Sequence, residues 1–297
     1  MKQKGNYQQD IAERIQIMEG NGRMLPMFPD NSVDCIITDH PWLDTVSNKG
    51  GNRSFADYEC FSYELEDFKE KARVLKPGCF LAEFLPAENA NNYRQLYKIK
   101  DYAAQCGLEY YSKVSWKKGR FVSNTGRKAK NTQDILIFTK GKARCLRLDR
   151  KKTKQTGEPC YMSGAAGMLP AMFDIEPVPR EQKIHQSELP VELCEQLIEY
   201  LTKEGEVVLD QFAGSGAVGI AAFRKGRKSI LIEKSGGTMK VLKQRLYSES
   251  ILKEERDSAN GRTTNHGVRQ SEQRRTKARP TADRIEKVCA GRKYSGR

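Results

Sequence analysis

Apolar positions change their period several times along the chain, and each change marks an element. Arg14–Glu19 alternates and stops at Gly20-Asn21-Gly22, which predicts a half-buried strand and a turn. Val33–Thr38 is a short, mostly apolar run interrupted by Asp34, read as a buried strand, and it ends at Asp39-His40-Pro41-Trp42. Residues 61–75 carry Phe61, Leu65, Phe68 and Ala72 at helical spacing, and Cys79–Leu85 predicts another buried strand. A helix over 90–106 stops at Gly107, and strands follow at Glu109–Trp116 and Asp134–Phe138. Residues 140–182 have little periodicity and four prolines, so they predict an irregular insert. A helix then begins near Ser187 or Glu188, with Pro190 in its first turn and Leu193, Leu197, Ile198 and Leu201 on one face. Strand Glu206–Asp210, helix Gly214–Phe223, strand Ser229–Glu233 and an amphipathic helix over 237–256 complete the pattern. Polar residues 43–58 predict a mobile loop, and 257–297 a disordered tail. Strands alternating with helices indicate an α/β chain with a mostly parallel, doubly wound sheet.

Composition sharpens this picture at one point. The net charge of +14 is concentrated: residues 110–154 hold 15 Lys/Arg against only Asp134 and Asp149, and 251–297 hold 13 against six acids. What is left is mildly acidic. Charge focused in this way suits a polyanion, nucleic acid first. No apolar run reaches the length of a membrane span and the first ten residues are polar, so a cytoplasmic protein without a membrane partner is expected. Eight scattered cysteines and three histidines give no metal-ligand spacing; no metal is expected.

Two segments carry candidate chemistry. Val207-Val208-Leu209-Asp210 runs into Gln211-Phe212-Ala213-Gly214-Ser215-Gly216, a glycine turn between strand and helix. Glu233 ends the next strand 23 residues later, where acids hold ribose hydroxyls. The turn lacks the full dinucleotide spacing and suits a nucleoside-type cofactor without pyrophosphate; alternatively Asp210 simply caps a helix. Asp39-His40-Pro41-Trp42 stands at a strand end, where a carboxylate and carbonyls accept from an amine and Trp42 stacks on a planar base. In isolation it reads first as a strand-end turn, with Pro41 stopping the strand and Trp42 packed in the core.

Taken together, the ordered set resembles the amino-group DNA methyltransferases, the N6-adenine and N4-cytosine enzymes, in the beta arrangement with the catalytic motif before the cofactor motif. The resemblance covers about residues 14–250. It rests on Asp30-Asn31-Ser32-Val33-Asp34 before Asp39–Trp42, on Val74-Leu75-Lys76-Pro77-Gly78, Phe138-Thr139-Lys140-Gly141, His185–Leu193, and Asp210–Gly216. It implies a circularly permuted Rossmann-like S-adenosylmethionine-dependent fold. The implied division is a catalytic half over 1–139, a target-recognition insert over 140–182, a cofactor half over 183–256 and a basic tail over 257–297. The implied cofactor is S-adenosylmethionine, held by Asn21, His185, Ser187, Asp210, Phe212, Ala213, Gly214, Ser215, Gly216 and Glu233. Asp39, His40, Pro41 and Trp42 would hold the target base, flipped from double-stranded DNA. Lys117, Lys118, Arg120, Arg127, Lys128, Arg144, Arg147, Arg150, Lys151 and Lys152 would track phosphates. A second copy of the chain and a cognate restriction nuclease are the protein partners the resemblance brings. Asp39 favours adenine over cytosine; a catalytically silent DNA-binding subunit is the alternative from another class. The chain departs from the family pattern at His40 and Gln211, both usually Pro, at Leu189, often Lys, and at Gln133, commonly Glu.

Overall fold

The computed structural model describes residues 7–42, 59–119, 131–185 and 187–249. The expectations for 43–58, for 257–297, for Arg120, Arg127 and Lys128, and for the end of the last helix beyond 249 lie outside the described residues.

Eight strands form one sheet in the order β1-β10-β9-β2-β3-β5-β4-β8. They are β1 (Ile15–Glu19), β2 (Val33–Thr38), β3 (Leu75–Pro86), β4 (Leu108–Lys117), β5 (Thr132–Lys140), β8 (Met172–Asp174), β9 (Val207–Asp210) and β10 (Lys228–Glu233). From β1 to β3 every pairing is parallel. Next to β3 the sheet turns antiparallel through β5 and β4, and β8 closes it in parallel with β4. The sheet is thus mixed, with its parallel strands in one continuous half.

Helices cover both faces of the sheet, as near-continuous apolar strands require. Helices α5 (Val191–Leu201) and α6 (Ala217–Arg224) pack on one face, where Leu193, Leu197 and Val218 meet Cys35, Ile37, Phe80 and Val208. Helices α2 (Leu65–Val74) and α3 (Tyr93–Gln105) cover the other, where Phe68, Leu96 and Ile99 meet Ile36, Leu81 and Leu209. Helix α1 (Tyr7–Arg14) and a helix over 236–249, here α7, close the β1 edge around Ile11, Phe223, Leu231 and Leu242. No described helix is long and apolar enough to cross a membrane.

Several elements depart from the periodicity: β3 already begins at Leu75, four residues before Cys79, and α6 begins at Ala217 rather than Gly214. Helix α2 starts at Leu65, not at 61, because Glu64 and Asp67 form a reciprocal capping box that fixes its first turn. Pro190 is the N-cap of α5, so neither Ser187 nor Glu188 starts that helix. The segment 140–182 is not irregular throughout. It contains the two-stranded sheet of β6 (Arg147–Leu148) and β7 (Tyr161–Met162) around α4 (Arg150–Thr156), and then β8. Leu146, Ala165, Phe173 and Ile175 belong to the main core, so only the excursion between Leu146 and Gly164 stands off the sheet. The hydrogen bonds Leu146 N to Gly164 O and Gly164 N to Arg144 O close the base of that excursion.

Candidate active site

Chain connections leave β2 toward β3 and leave β9 toward β10, on opposite sides. The crevice beyond the carboxyl ends of β2 and β9 is therefore the switch point of the sheet, where open α/β sheets bind ligands. Both candidate motifs meet there. Thr38 at the end of β2 donates to the Asp210 carboxylate at the end of β9 across 3.3 Å.

The β9 turn is built from its own backbone. Asp210 is buried, and besides Thr38 its carboxylate accepts from Phe212 N at 3.1 Å. Burial outweighs these bonds and pushes its carboxyl up to about 7. Gly214 and Gly216 both take positive φ, 48° and 77°, which a side chain resists. Glu233 at the end of β10 accepts from Gly214 N at 3.0 Å and from Ser235 N at 2.8 Å. The turn is also tied outward. Arg245 of α7 donates to Ser215 O at 3.1 Å and pairs with Glu188 at 2.8 Å, which anchors the segment before α5. His185 from that segment lies beside Gly214, with its Nδ1 accepting from Ser187 N at 3.3 Å. Burial lowers the imidazole pKa. Asn21 follows β1, exposed, and accepts from Arg23 N at 3.1 Å. Gln211 donates to Gly22 O at 2.6 Å, and a Cβ on Gly22 would fall 1.9 Å from Gln211 O. Where proline is usual, this chain uses the Gln211 amide to dock the β1 turn.

The β2 motif is held by distant residues instead. Asp39 is partly exposed, yet burial of its carboxyl, with Glu83 and Asp210 nearby, pushes it up to about 8 against the opposing pull of Lys118. Phe61 N donates to Pro41 O at 3.1 Å, and Trp42 bridges to Phe61. The Phe61 ring lies 5.5 Å from that of Phe212 and carries the Arg23 guanidinium at 4.5 Å, so it joins the two motifs. Arg23 is itself fixed by a two-pronged pair with Asp67 at 2.7 and 2.9 Å. His40 is buried on the side of the sheet covered by α2. Its ring stacks on Tyr63 at 3.7 Å, and its Nδ1 lies 3.6 Å from Glu83 Oε1. Glu83 of β3 pairs with Lys71 of α2 at 2.7 Å and accepts from the Tyr63 hydroxyl. Burial lowers the pKa of His40, keeping the imidazole neutral. Trp42 Nε1 is buried without a hydrogen-bond partner among the described residues, and the buried Gln133 side chain draws the Asp39 pKa down.

The catalytic and cofactor residues expected from the sequence therefore gather around one crevice, while the expected phosphate contacts divide. Arg150, Lys151 and Lys152 lie exposed on α4, with Asp149 as its N-cap. Arg147 is half-buried and reaches Met162 Sδ at 3.5 Å. Lys117 pairs with Asp174 at 2.6 Å. Lys118 lies 4.6 Å over the Trp116 ring and acts electrostatically on Asp39, at the site rather than on an outer surface. Arg144 turns inward. Its guanidinium is held by Glu206 at 2.6 and 2.7 Å and by Leu201 O at 3.0 Å, a structural brace. Phe61, Tyr63, Lys71, Glu83 and Arg245 were not expected at the site. Two left a signal: Lys71 interrupts the apolar stripe of Phe68 and Ala72, and Glu83 stands inside an apolar strand.

A family profile described as DNA methylase, of the N6/N4 type, matches residues 33–244. The type II methyltransferase M.HpaI of Haemophilus parainfluenzae is 28% identical over 237 residues, covering 76% of this chain and 72% of that protein. The fold is similar to that of the M1.HpyAVI–SAM complex, with a TM-score of 0.57, 21% identity, and coverage of 78% of this chain and 98% of that one. It is equally similar to the cytosine-N4-specific PvuII DNA methyltransferase, with a TM-score of 0.57, 18% identity, and coverage of 80% and 91%.

Proposed function

This chain belongs to the N6/N4 DNA methylase family, and from that premise we propose that it transfers a methyl group from S-adenosylmethionine to the exocyclic N6 amine of adenine at a specific site in double-stranded DNA. The observation that supports the reading is the Thr38–Asp210 bond, which sets the Asp39–Trp42 motif and the β9 glycine turn side by side at the switch point. The turn fits the cofactor: two positive-φ glycines open its backbone, and Asp210 and Glu233 offer carboxylates on neighbouring strands. When bound, S-adenosylmethionine supplies an electrophilic methyl on a sulfonium. Glu233 takes the ribose hydroxyls, Asn21 reaches the adenine end, and His185 and Ser187 bracket the methionine end.

In this reading Asp39 and the His40 carbonyl accept from the target amine and localise its lone pair. Trp42 stacks on the base. With the cofactor held there, the amine nitrogen would receive its methyl group, and the displaced proton would pass to the Asp39 carboxylate or to solvent. No covalent enzyme intermediate is needed, so orientation and electrostatics supply the acceleration. Lys118 moderates the charge of Asp39. The exposed cations of α4, together with Leu148, Tyr161 and Met162 on β6 and β7, support 140–182 as the DNA-reading segment. A nuclease cutting the same site and a second copy of the chain are the protein partners this reading carries, in the cytoplasm.

The test is mass spectrometry of nucleosides from unmethylated DNA incubated with the protein and S-adenosylmethionine, beside Asp39→Ala. N6-methyladenine with the intact protein alone is the expected result. N4-methylcytosine would keep the mechanism and replace the base. No methylated base, with DNA and cofactor both bound, would favour a silent subunit.

A further inference from the structure

Proline at the second motif position would fix its own backbone and restrict the residue before it. Histidine does neither, yet the carbonyl of His40 is the group that must meet the target amine. What replaces the lost constraint is a buried cluster drawn from four places in the chain. The His40 ring, 6% exposed, lies 3.7 Å from the Tyr63 ring at an interplanar angle of 32°. Lys71 Nζ stands 3.7 Å from the centroid of the same Tyr63 ring and 2.7 Å from Glu83 Oε2. The Tyr63 hydroxyl donates to Glu83 Oε1, and that oxygen faces His40 Nδ1 at 3.6 Å. Lys71 and Glu83 neutralise each other with no exposed side-chain surface. Such a pair is a costly way to gain stability, because desolvation cancels most of the attraction. It does fix geometry, since neither charge can leave its partner.

We infer that the His40 side chain, clamped between Tyr63 and the Glu83–Lys71 pair, is a positioning group that orients the His40 carbonyl toward the target amine, in place of a proline. The inference rests on the methyl-transfer reading. It predicts that the side chain acts through the backbone, so a residue that rigidifies the backbone should replace it.

The experiment compares His40→Ala, His40→Pro and Tyr63→Phe with the intact protein. Methylation kinetics, calorimetric S-adenosylmethionine binding and amide hydrogen exchange are measured for each. His40→Ala is expected to lower kcat about 10-fold or more, since small misplacements of a reacting group are costly. The Kd for S-adenosylmethionine should stay within about twofold, and exchange should quicken at 38–42 but not at 207–216. His40→Pro should recover most of kcat, and Tyr63→Phe should fall between. Unchanged kcat in His40→Ala, or His40→Pro no better than alanine, overturns the inference. If the intact protein methylates nothing, the functional reading fails separately, and exchange still decides the clamp: no quickening at 38–42 in His40→Ala overturns it.

Discussion

The two turns that face each other across the β2–β9 crevice are held by opposite means. The β9 turn is largely self-sufficient: two positive-φ glycines shape it, and Asp210 and Glu233 bond its own amides. The β2 motif has few bonds of its own. Its shape comes from Phe61, Tyr63, Lys71 and Glu83, the contacts spanning 20 positions (Pro41 to Phe61) to 43 (His40 to Glu83). A turn that holds a cofactor by backbone approach must specify that backbone locally. A motif that presents one carbonyl and one carboxylate can delegate its support.

Breaking the delegated support should have the largest effect. Lys71→Met leaves the Glu83 carboxylate buried without its cation and is expected to cost about 3–5 kcal/mol. Adding Glu83→Gln should restore much of this, as urea unfolding of the single and double variants would show. If the single variant unfolds like the intact protein, the pair is not a support. At the local turn, Gly216→Ala forces a side chain into positive φ, 3.1 Å from Leu242. The expected cost is about 1–3 kcal/mol, with weaker S-adenosylmethionine binding by calorimetry.

Charge distinguishes the turns more finely. The Asp39 carboxyl titrates at about 8 in the folded chain and near 4 when unfolded. The folded state keeps a proton that the unfolded state releases between those values. Stability from this group is therefore present at low pH and lost as pH rises toward 8. Asp39→Asn should melt with the intact protein near pH 4 and above it at pH 8, by about 1–2 kcal/mol after screening at a partly exposed residue. Methylation by the intact protein should run the other way, rising with pH toward a plateau above about 8. Coincident melting at both values would show that Asp39 is not desolvated. The smallest stability effect is expected on α4, which touches neither turn. Replacing Arg150, Lys151 and Lys152 by Gln should change stability by less than about 0.5 kcal/mol. It should flatten the salt dependence of DNA binding, measured by fluorescence anisotropy, by up to about three units of slope.

The same contrast explains what the sequence disclosed. Strand β2 was legible to the residue, and the glycine turn with Glu233 was legible by spacing, because both are local patterns. Its period puts Phe61 on a helix, whereas the Glu64–Asp67 capping box starts that helix at Leu65 and Phe61 N bonds Pro41 O instead. The β2 support depends on contacts between elements, which no single segment encodes. Its trace was compositional: a lysine on an apolar helix face and a glutamate within an apolar strand. A charge count likewise cannot tell a solvated arginine from one fixed as Arg144 is by Glu206. The strands of 140–182 are only two or three residues long, too short to show a period.

The closed base of the excursion at Leu146 and Gly164 also matters for anyone wishing to build chimeras. Residues 147–163 leave and return through one hydrogen-bonded neck, while the flanking Arg144, Ala165, Phe173 and Ile175 belong to the brace and core. A transplant cut at 140 and 182 would carry away Phe173 and the β8 edge of the sheet, together with the partner of Glu206. A transplant cut at the neck would exchange a basic, aromatic-bearing module and leave the host scaffold whole, which makes the neck the natural joint for recombining this chain with its relatives.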